Sequence, residues 1–124
     1  MSKQWVDGLK TICIDYNGVL DTYKGWRGEN YIYPARPGAR EFLQALHGSG
    51  YKVVIFTASD IGNVNQFLED NDMTRFVDLV TNEKVPAIIY VDDRAICFQG
   101  NFADTFQQIL NFRTFWEVNG ASER

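Results

Sequence analysis

The chain has 124 residues, a length that fits one domain and leaves no room for a second hydrophobic core. Its 12 Lys and Arg residues against 16 Asp and Glu residues give a net charge of −4, so we expect no strong general affinity for nucleic acid. The 45% share of hydrophobic residues excludes a disordered chain, and no apolar run approaches the roughly 18 residues of a membrane span.

The first half of the chain alternates strand and helix patterns. Residues 9–15 form an apolar run typical of a strand buried on both faces, and it ends on an acid. The segment 16–37 is too rich in Gly, Pro and aromatic residues for a regular element, so we interpret residues 18–36 as a flap. Helical spacing predicts a helix over 39–47, and a second buried strand follows shortly after it.

The alternation continues to the end of the sequence. The second strand, residues 53–56, leads into a helix over 61–70, and a weaker strand pattern follows at 76–80. Strong strand character returns at 87–91. After a short fifth strand at 95–98, the spacing of five apolar residues predicts a helix over 102–116: Phe102, Phe106, Ile109, Leu110 and Phe112. The pattern predicts one α/β domain over residues 1–124, a three-layer sandwich with a central parallel sheet.

Polar residues stand where three of these strands end. Asp15 ends the first strand, Thr57 follows the second, and Asp92 and Asp93 follow the strand at 87–91. In open parallel sheets the ligand crevice lies outside the carboxyl ends of the strands, so we expect these side chains to converge there. Carboxylates that leave water need a positive partner, and Mg²⁺ prefers oxygen ligands. The sequence therefore predicts a magnesium site at this edge.

The motifs at these strand ends resemble those of the haloacid dehalogenase-like (HAD) hydrolases. Residues 12–20, Ile-Cys-Ile-Asp-Tyr-Asn-Gly-Val-Leu, are similar to that family's first motif, a strand followed by Asp-x-Asp-Gly. Residues 54–57 match the second motif, a strand ending in Thr or Ser. Lys84 fits the third motif, and residues 88–93 fit the fourth, an acidic pair after a strand. The resemblance implies a Rossmann-like core, and the short stretches between motifs imply a capless phosphatase with no separate cap domain.

The resemblance also implies a role for each matched residue. Asp15 corresponds to the nucleophile that attacks phosphorus and forms an aspartyl-phosphate. Thr57 corresponds to the residue that holds a phosphoryl oxygen, and Lys84 to the cation that neutralises charge. Asp93 is expected to bind Mg²⁺ directly and Asp92 through water. Taken singly, Thr57 is also explained as an ordinary strand residue, and Lys84 as a surface lysine.

Asn17 departs from the family pattern. The phosphatases of the family carry a second Asp there, which protonates the leaving oxygen and then activates water. An amide does neither, although its backbone carbonyl still offers Mg²⁺ a ligand, so we expect weakened turnover. A natural variant, an introduced Asp-to-Asn change and a deamidation site at Asn17–Gly18 remain open as origins. A purely structural hairpin turn is a further reading of this Asn-Gly pair.

The flap suggests the substrate class. Tyr23, Lys24, Trp26 and Arg27 supply stacking faces and cations, which suits a phosphorylated substrate such as a nucleotide or a nucleic-acid end. Ala58, next to Thr57, is also expected to contact the substrate. Capless relatives act on bulky or macromolecular substrates or use a neighbouring subunit as a lid. The sequence leaves the oligomeric state open.

Two other functions stay open at this stage. One is a catalytically impaired domain that binds phosphorylated ligands or a protein partner, for which Asn17 is the main support. The other is a receiver domain of a phosphorelay, which shares the α/β sandwich but carries its acidic pair near the first strand. The amino terminus lacks the apolar region of a signal peptide, and Cys13 and Cys97 lie in apolar runs. We therefore expect buried thiols in a cytoplasmic protein with no membrane partner.

Overall fold

The computed structural model describes residues 10–118 and shows an α/β fold around a four-stranded, all-parallel sheet. The strands are β1 (Thr11–Asp15), β2 (Lys52–Phe56), β3 (Leu79–Thr81) and β4 (Ile89–Val91). The helices are α1 (Ala39–Gly48), α2 (Ile61–Asp70), α3 (Phe102–Leu110) and α4 (Phe115–Val118). The predicted fold class is confirmed, and the described residues include no separate cap domain.

The order of the strands places a crevice next to β1. The sheet runs β3-β2-β1-β4, so the chain moves outward from β1 to β3 and then returns to the other side of β1. Cys13 in the middle of β1 pairs with Val54 on one side and with Tyr90 on the other. The strand order therefore reverses between β1 and β4, which is where open α/β sheets form ligand sites.

The core lies mainly on one face of the sheet. Alternate residues of a strand point to opposite faces, and Ile14 of β1 and Ile55 of β2 belong to the larger apolar cluster, with Leu43 of α1 and Phe67 of α2. Cys13, Val54 and Val85 form a much smaller cluster. Most of the apolar burial that stabilises the fold therefore comes from packing α1 and α2 on the sheet.

The segment predicted as one helix over 102–116 forms two helices. α3 ends at Leu110, and the side chain of Asn111 donates to a backbone carbonyl one turn earlier. Thr114 N donates to Glu117 Oε1 at 2.8 Å, and Thr114 Oγ1 accepts from Glu117 N at 3.2 Å. This reciprocal capping begins a new helix, so the predicted single helix is interrupted although its apolar periodicity continues.

Other predictions differ in detail. The fifth strand at 95–98 does not form, and this stretch is irregular. The strand predicted at 76–80 lies at Leu79–Thr81, because residues 74–76 form a 3₁₀ turn. Cys97 is exposed, in contrast to buried Cys13. The start of the first predicted strand, at Leu9, lies outside the described residues.

Among the described residues, no helix has both the length and the apolar character needed to cross a membrane.

We expect truncation of the main core to cost far more stability than truncation at the surface. Phe67 is fully buried and meets the Tyr16 ring edge-on at a centroid distance of 5.0 Å. Phe67→Ala should lower the free energy of unfolding by about 3–5 kcal/mol in urea titrations. Phe42→Ala, at a 40% exposed position of α1, is the matched control and should cost less than about 1 kcal/mol. Equal losses would contradict this placement of the core.

Candidate functional site

A wide turn directly after β1 brings the chain close to the end of β4. The turn spans Tyr16–Leu20, with Asn17 in an extended conformation and Gly18 at a φ of 86°. A Cβ atom at position 18 would overlap Asp93 Oδ2 and lie 3.0 Å from Trp116 Nε1. Glycine is therefore required twice at this position, for its positive φ and for the close approach.

Three carboxylates converge at this point. Oxygen atoms of Asp15, Asp92 and Asp93 lie within 4.8 Å of one another. The convergence follows from the topology, because β1 and β4 are neighbours and run parallel, so their carboxyl ends meet at one edge. This set, which we call the acidic triad, could hold a metal ion.

The acidic triad leaves Asp15 in an unfavourable electrostatic environment. Burial raises the pKa of Asp15 to about 8, and the charge of Asp92, a side-chain hydrogen bond with Asp93 and the charge of Asp93 add to the increase. Removal from water and nearby like charges both disfavour the ionised form. A cation at this point would reverse the effect and favour the carboxylate.

Asp93 supplies a specific sign that a cation fits here. Its Oδ2 accepts a 2.6 Å hydrogen bond from Trp116 Nε1, while its Oδ1 is buried and has no hydrogen-bond donor among residues 10–118. A buried carboxylate oxygen without a donor is costly, and a metal ion is one way to satisfy it. Asp92 differs, because its side chain is exposed and accepts from Arg94 N at 2.7 Å. The candidate metal ligands of the acidic triad are all carboxylate oxygens, which hard divalent cations prefer.

Thr57 lies at the end of β2, beside the end of β1, and is buried. Its Oγ1 accepts a 2.9 Å hydrogen bond from Ser59 N, so the hydroxyl keeps its own proton for donation to another group. Ala58, the next residue, is exposed and lines the cavity described below. Lys84 is exposed, with Nζ 4.7 Å from the centre of the Tyr90 ring. Burial raises the pKa of Cys13 to about 11; the charge of Asp15 adds to the increase, and the charge of Lys84 opposes it.

The side chain of Asn17 is held on both sides. Its Nδ2 donates to Asp21 Oδ2 at 2.8 Å, and its Oδ1 accepts from Ser59 Oγ at 3.1 Å. Asn17 therefore links the turn after β1 to the loop after β2, close to Asp15. The amide has no acidic proton to give.

Asp21 is a buried carboxylate that the sequence motifs did not single out. It is 0% exposed, and its Oδ1 accepts hydrogen bonds from Gly18 N at 2.8 Å and Tyr23 N at 3.1 Å. Burial raises the pKa of Asp21, while these donors, Asn17 and the charge of Arg36 oppose the increase. The only sequence signal for the hydrogen bond between Asn17 and Asp21 is their spacing of four residues.

The flap contacts the rest of the protein at its base and near its tip. Asp21 and Ala35 form an antiparallel bridge at its base. Near its tip, the carbonyl of Glu29 accepts a 2.5 Å hydrogen bond from Asn63 Nδ2 in the first turn of α2. Inside the flap, the Tyr33 hydroxyl donates to a backbone carbonyl at 2.6 Å. The flap thus forms an ordered wall over the loop after β2.

A cavity of about 660 Å³ lies under the flap and reaches Asp15 and Asn17. The flap contributes aromatic and cationic side chains to its wall: Tyr23, Trp26, Arg27, Tyr31 and Tyr33. Lining residues outside the flap include Ser59, Asn63 and Arg94, which the sequence did not indicate. Lys24, predicted to contact substrate, does not line this cavity. The volume lies within the usual range of small-molecule sites.

Comparisons with known proteins support the fold and go no further. No family model matches the chain, and no curated protein matches it. Among solved structures, it is similar to a conserved protein coded by a locus from Bacteroides thetaiotaomicron, with a TM-score of 0.51 and 16% sequence identity. The match covers 87% of this chain and 95% of that chain. At this identity the likeness shows a shared α/β fold alone.

We expect the close approach at Gly18 to be measurable as stability. Gly18→Ala combines the strain of a positive φ with the overlap against Asp93, and should lower the free energy of unfolding by about 2–4 kcal/mol. Gly50→Ala is the matched control, because Gly50 has a similar φ of 91° and nothing within 4 Å of the added Cβ. It should cost only about 1–2 kcal/mol. Equal losses in urea titrations would show that the overlap has no energetic weight.

Proposed function

We propose that the protein is a magnesium-dependent phosphomonoesterase of the HAD type, with Asp15 as its nucleophile. The observation that carries the proposal is the position of Asp15, which belongs to the acidic triad and also lines the cavity under the flap. A carboxylate between a cation site and an open cavity can attack a phosphoryl group that is bound there. The order of the sequence motifs supports the same chemistry.

In the proposed reaction, an Asp15 oxygen forms a bond to phosphorus while the ester P–O bond breaks. This gives an aspartyl-phosphate and a leaving oxygen that takes up a proton. Water then attacks phosphorus, the bond to Asp15 breaks, and inorganic phosphate is released. The Thr57 hydroxyl donates to a phosphoryl oxygen, and Lys84 offsets negative charge.

The acidic triad fits Mg²⁺ as the resident cation. Asp15 and Asp93 would hold the ion, together with the backbone carbonyl of Asn17, and Asp92 would act through water. Exposed Asp92 and the donor-free oxygen of Asp93 support this division. When bound, Mg²⁺ supplies positive charge that offsets the carboxylates and the phosphoryl oxygens.

Asn17 limits this reaction. Its amide is held by Asp21 and Ser59 beside Asp15, at the position where a general acid would protonate the leaving oxygen. General acid–base catalysis typically contributes about 10²–10⁴-fold, so turnover is slow unless the leaving group needs no proton.

The cavity favours a small substrate over a nucleic-acid end. Its walls include Trp26 and Tyr31, which offer ring faces, and Arg27, whose guanidinium carbon lies 5.9 Å from the Tyr31 ring centre. Aromatic faces and a guanidinium suit a planar base. The flap closes one side of the cavity at Asn63, which supports a mononucleotide-sized phosphomonoester.

A second candidate function rests on the same residue. Because Asn17 carries no acidic proton, the domain could bind a phosphorylated ligand or a protein partner without efficient turnover. The cation site and the cavity serve this function equally well. Turnover and cation binding therefore need separate measurements.

The first experiment measures cation binding by thermal stability. Mg²⁺ should raise the unfolding midpoint of the protein by several degrees relative to EDTA, because it binds only the folded triad. Asp15→Asn should raise the midpoint in EDTA, because folding no longer places an ionisable carboxyl group beside Asp92 and Asp93, and it should abolish the response to Mg²⁺. Asp70→Asn, an exposed carboxylate at the end of α2, is the matched control and should keep the response. An unchanged response in Asp15→Asn would contradict the magnesium site.

The second experiment restores the missing carboxyl group. In Asn17→Asp the new carboxyl group meets Asp21 across the present 2.8 Å contact, so the two share a proton beside Asp15. Phosphate release from alkyl phosphates, including nucleoside monophosphates, should increase about 10²–10⁴-fold. An aryl phosphate should gain less, because its leaving group needs little protonation.

The controls separate the two candidate functions. Asp15→Asn in the Asn17→Asp background should abolish turnover, and the intact mass of the parent chain excludes deamidation as the source of its activity. Failure of every substrate with Asn17→Asp, while Mg²⁺ still stabilises the protein, would reject the phosphatase and favour the binding domain.

A further inference from the structure

The helix α3 carries an apolar stripe that the described part of the molecule does not cover. Phe102, Phe106, Ile109 and Leu110 follow helical spacing and are 81%, 56%, 58% and 61% exposed. The ring of Phe98 extends the stripe, at a centroid distance of 5.0 Å from Phe102. No residue of α3 is buried. We call these five side chains the α3 face.

A helix of this kind needs a covering surface. α3 has nine residues, and isolated helices shorter than about 12–15 residues are marginal in water. Helices of that length gain their stability by burying an apolar face. The capping of α3 by Asn101, which accepts from Asp104 N at 3.0 Å, adds only a local contribution.

We propose that a second copy of this chain covers the α3 face, giving a two-fold dimer in which the two α3 helices pack antiparallel. A two-fold axis places the same surface on both sides of the contact. The Phe102 end of one helix then meets the Leu110 end of the other, and Phe106 lies near the axis. The antiparallel arrangement also sets the helix dipoles in opposite directions, which is favourable.

The area of the α3 face fits such a contact. Whole aromatic side chains offer roughly 150–250 Å², so five large residues that are each more than half exposed present on the order of 500–600 Å² of apolar surface. A standard interface buries about 800 Å² per partner, and about 65% of a homodimer interface is apolar, or about 520 Å². The α3 face therefore supplies the apolar core of one standard interface.

Charge also permits the contact. Each copy carries a net charge of −4, so the two molecules repel one another in general. The α3 face itself has no charged side chain, and the one acidic residue of α3, Asp104, lies on the other side of the helix from Phe102 and Phe106. Association is therefore directed to this uncharged surface.

Analytical ultracentrifugation of the full chain over a wide concentration range tests the proposal. The parent chain should sediment at twice the mass of one chain at high concentration. The double variant Phe102→Glu with Phe106→Glu should raise the dimer dissociation constant by at least about 100-fold, because it places charges at the centre of the interface. Phe42→Glu, the same change at an exposed Phe of α1, should leave the dimer intact. Circular dichroism shows whether each variant is folded.

Hydrogen exchange of the parent chain gives an independent answer if the double variant unfolds. The amides of α3 should be protected at high concentration and lose protection on dilution. A parent chain that stays monomeric at every concentration would overturn the proposal. Protection of the α3 amides that does not change with concentration would also overturn it, because the chain itself would then cover the helix. A dimer that survives in the folded double variant would also overturn it and would direct attention to the exposed edge strand β4.

Discussion

The crowding of negative charge at the adjoining ends of β1 and β4 is the constraint around which the rest of the site is arranged. Asp15, Asp92 and Asp93 meet there because β1 and β4 are parallel neighbours, so their carboxyl ends lie at the same edge of the sheet. Gly18 has no side chain to obstruct the approach of Asp93, and Trp116 donates to one oxygen of that carboxylate. None of these contacts supplies a positive charge, so the three carboxylates could hold a metal ion.

The contrast with Asp21 shows why the acidic triad differs from an ordinary buried carboxylate. Asp21 is more deeply buried than Asp15, yet its oxygens receive hydrogen bonds from two backbone N–H groups and from the Asn17 amide. These donors satisfy the Asp21 carboxylate without a metal ion. Asp93, in contrast, keeps a buried oxygen that no donor reaches. Burial alone therefore does not distinguish the two carboxylates, whereas their hydrogen-bond donors do.

The first two helices and the third helix have different roles. α1 and α2 pack on the sheet and bury Leu43 and Phe67, which supplies most of the apolar stabilisation. α3 buries nothing within the described residues, although its stripe is as regular as theirs. The chain leads from α3 into α4, where Trp116 contacts Asp93. A partner that covers α3 would therefore also hold the segment that supports the acidic triad.

The sequence by itself determined the alternation of strands and helices, the parallel sheet and the convergence of Asp15 with Asp92 and Asp93. These features follow from local hydrophobic periodicity and from one topological rule. Only the tertiary structure decided that Asp21 and Asn17 form a pair, that no described residue covers the apolar stripe of α3, and that the predicted last helix is interrupted between Leu110 and Phe115. Each of these depends on which distant surfaces meet, or on hydrogen bonds that compete with a continuing helix, and periodicity records neither.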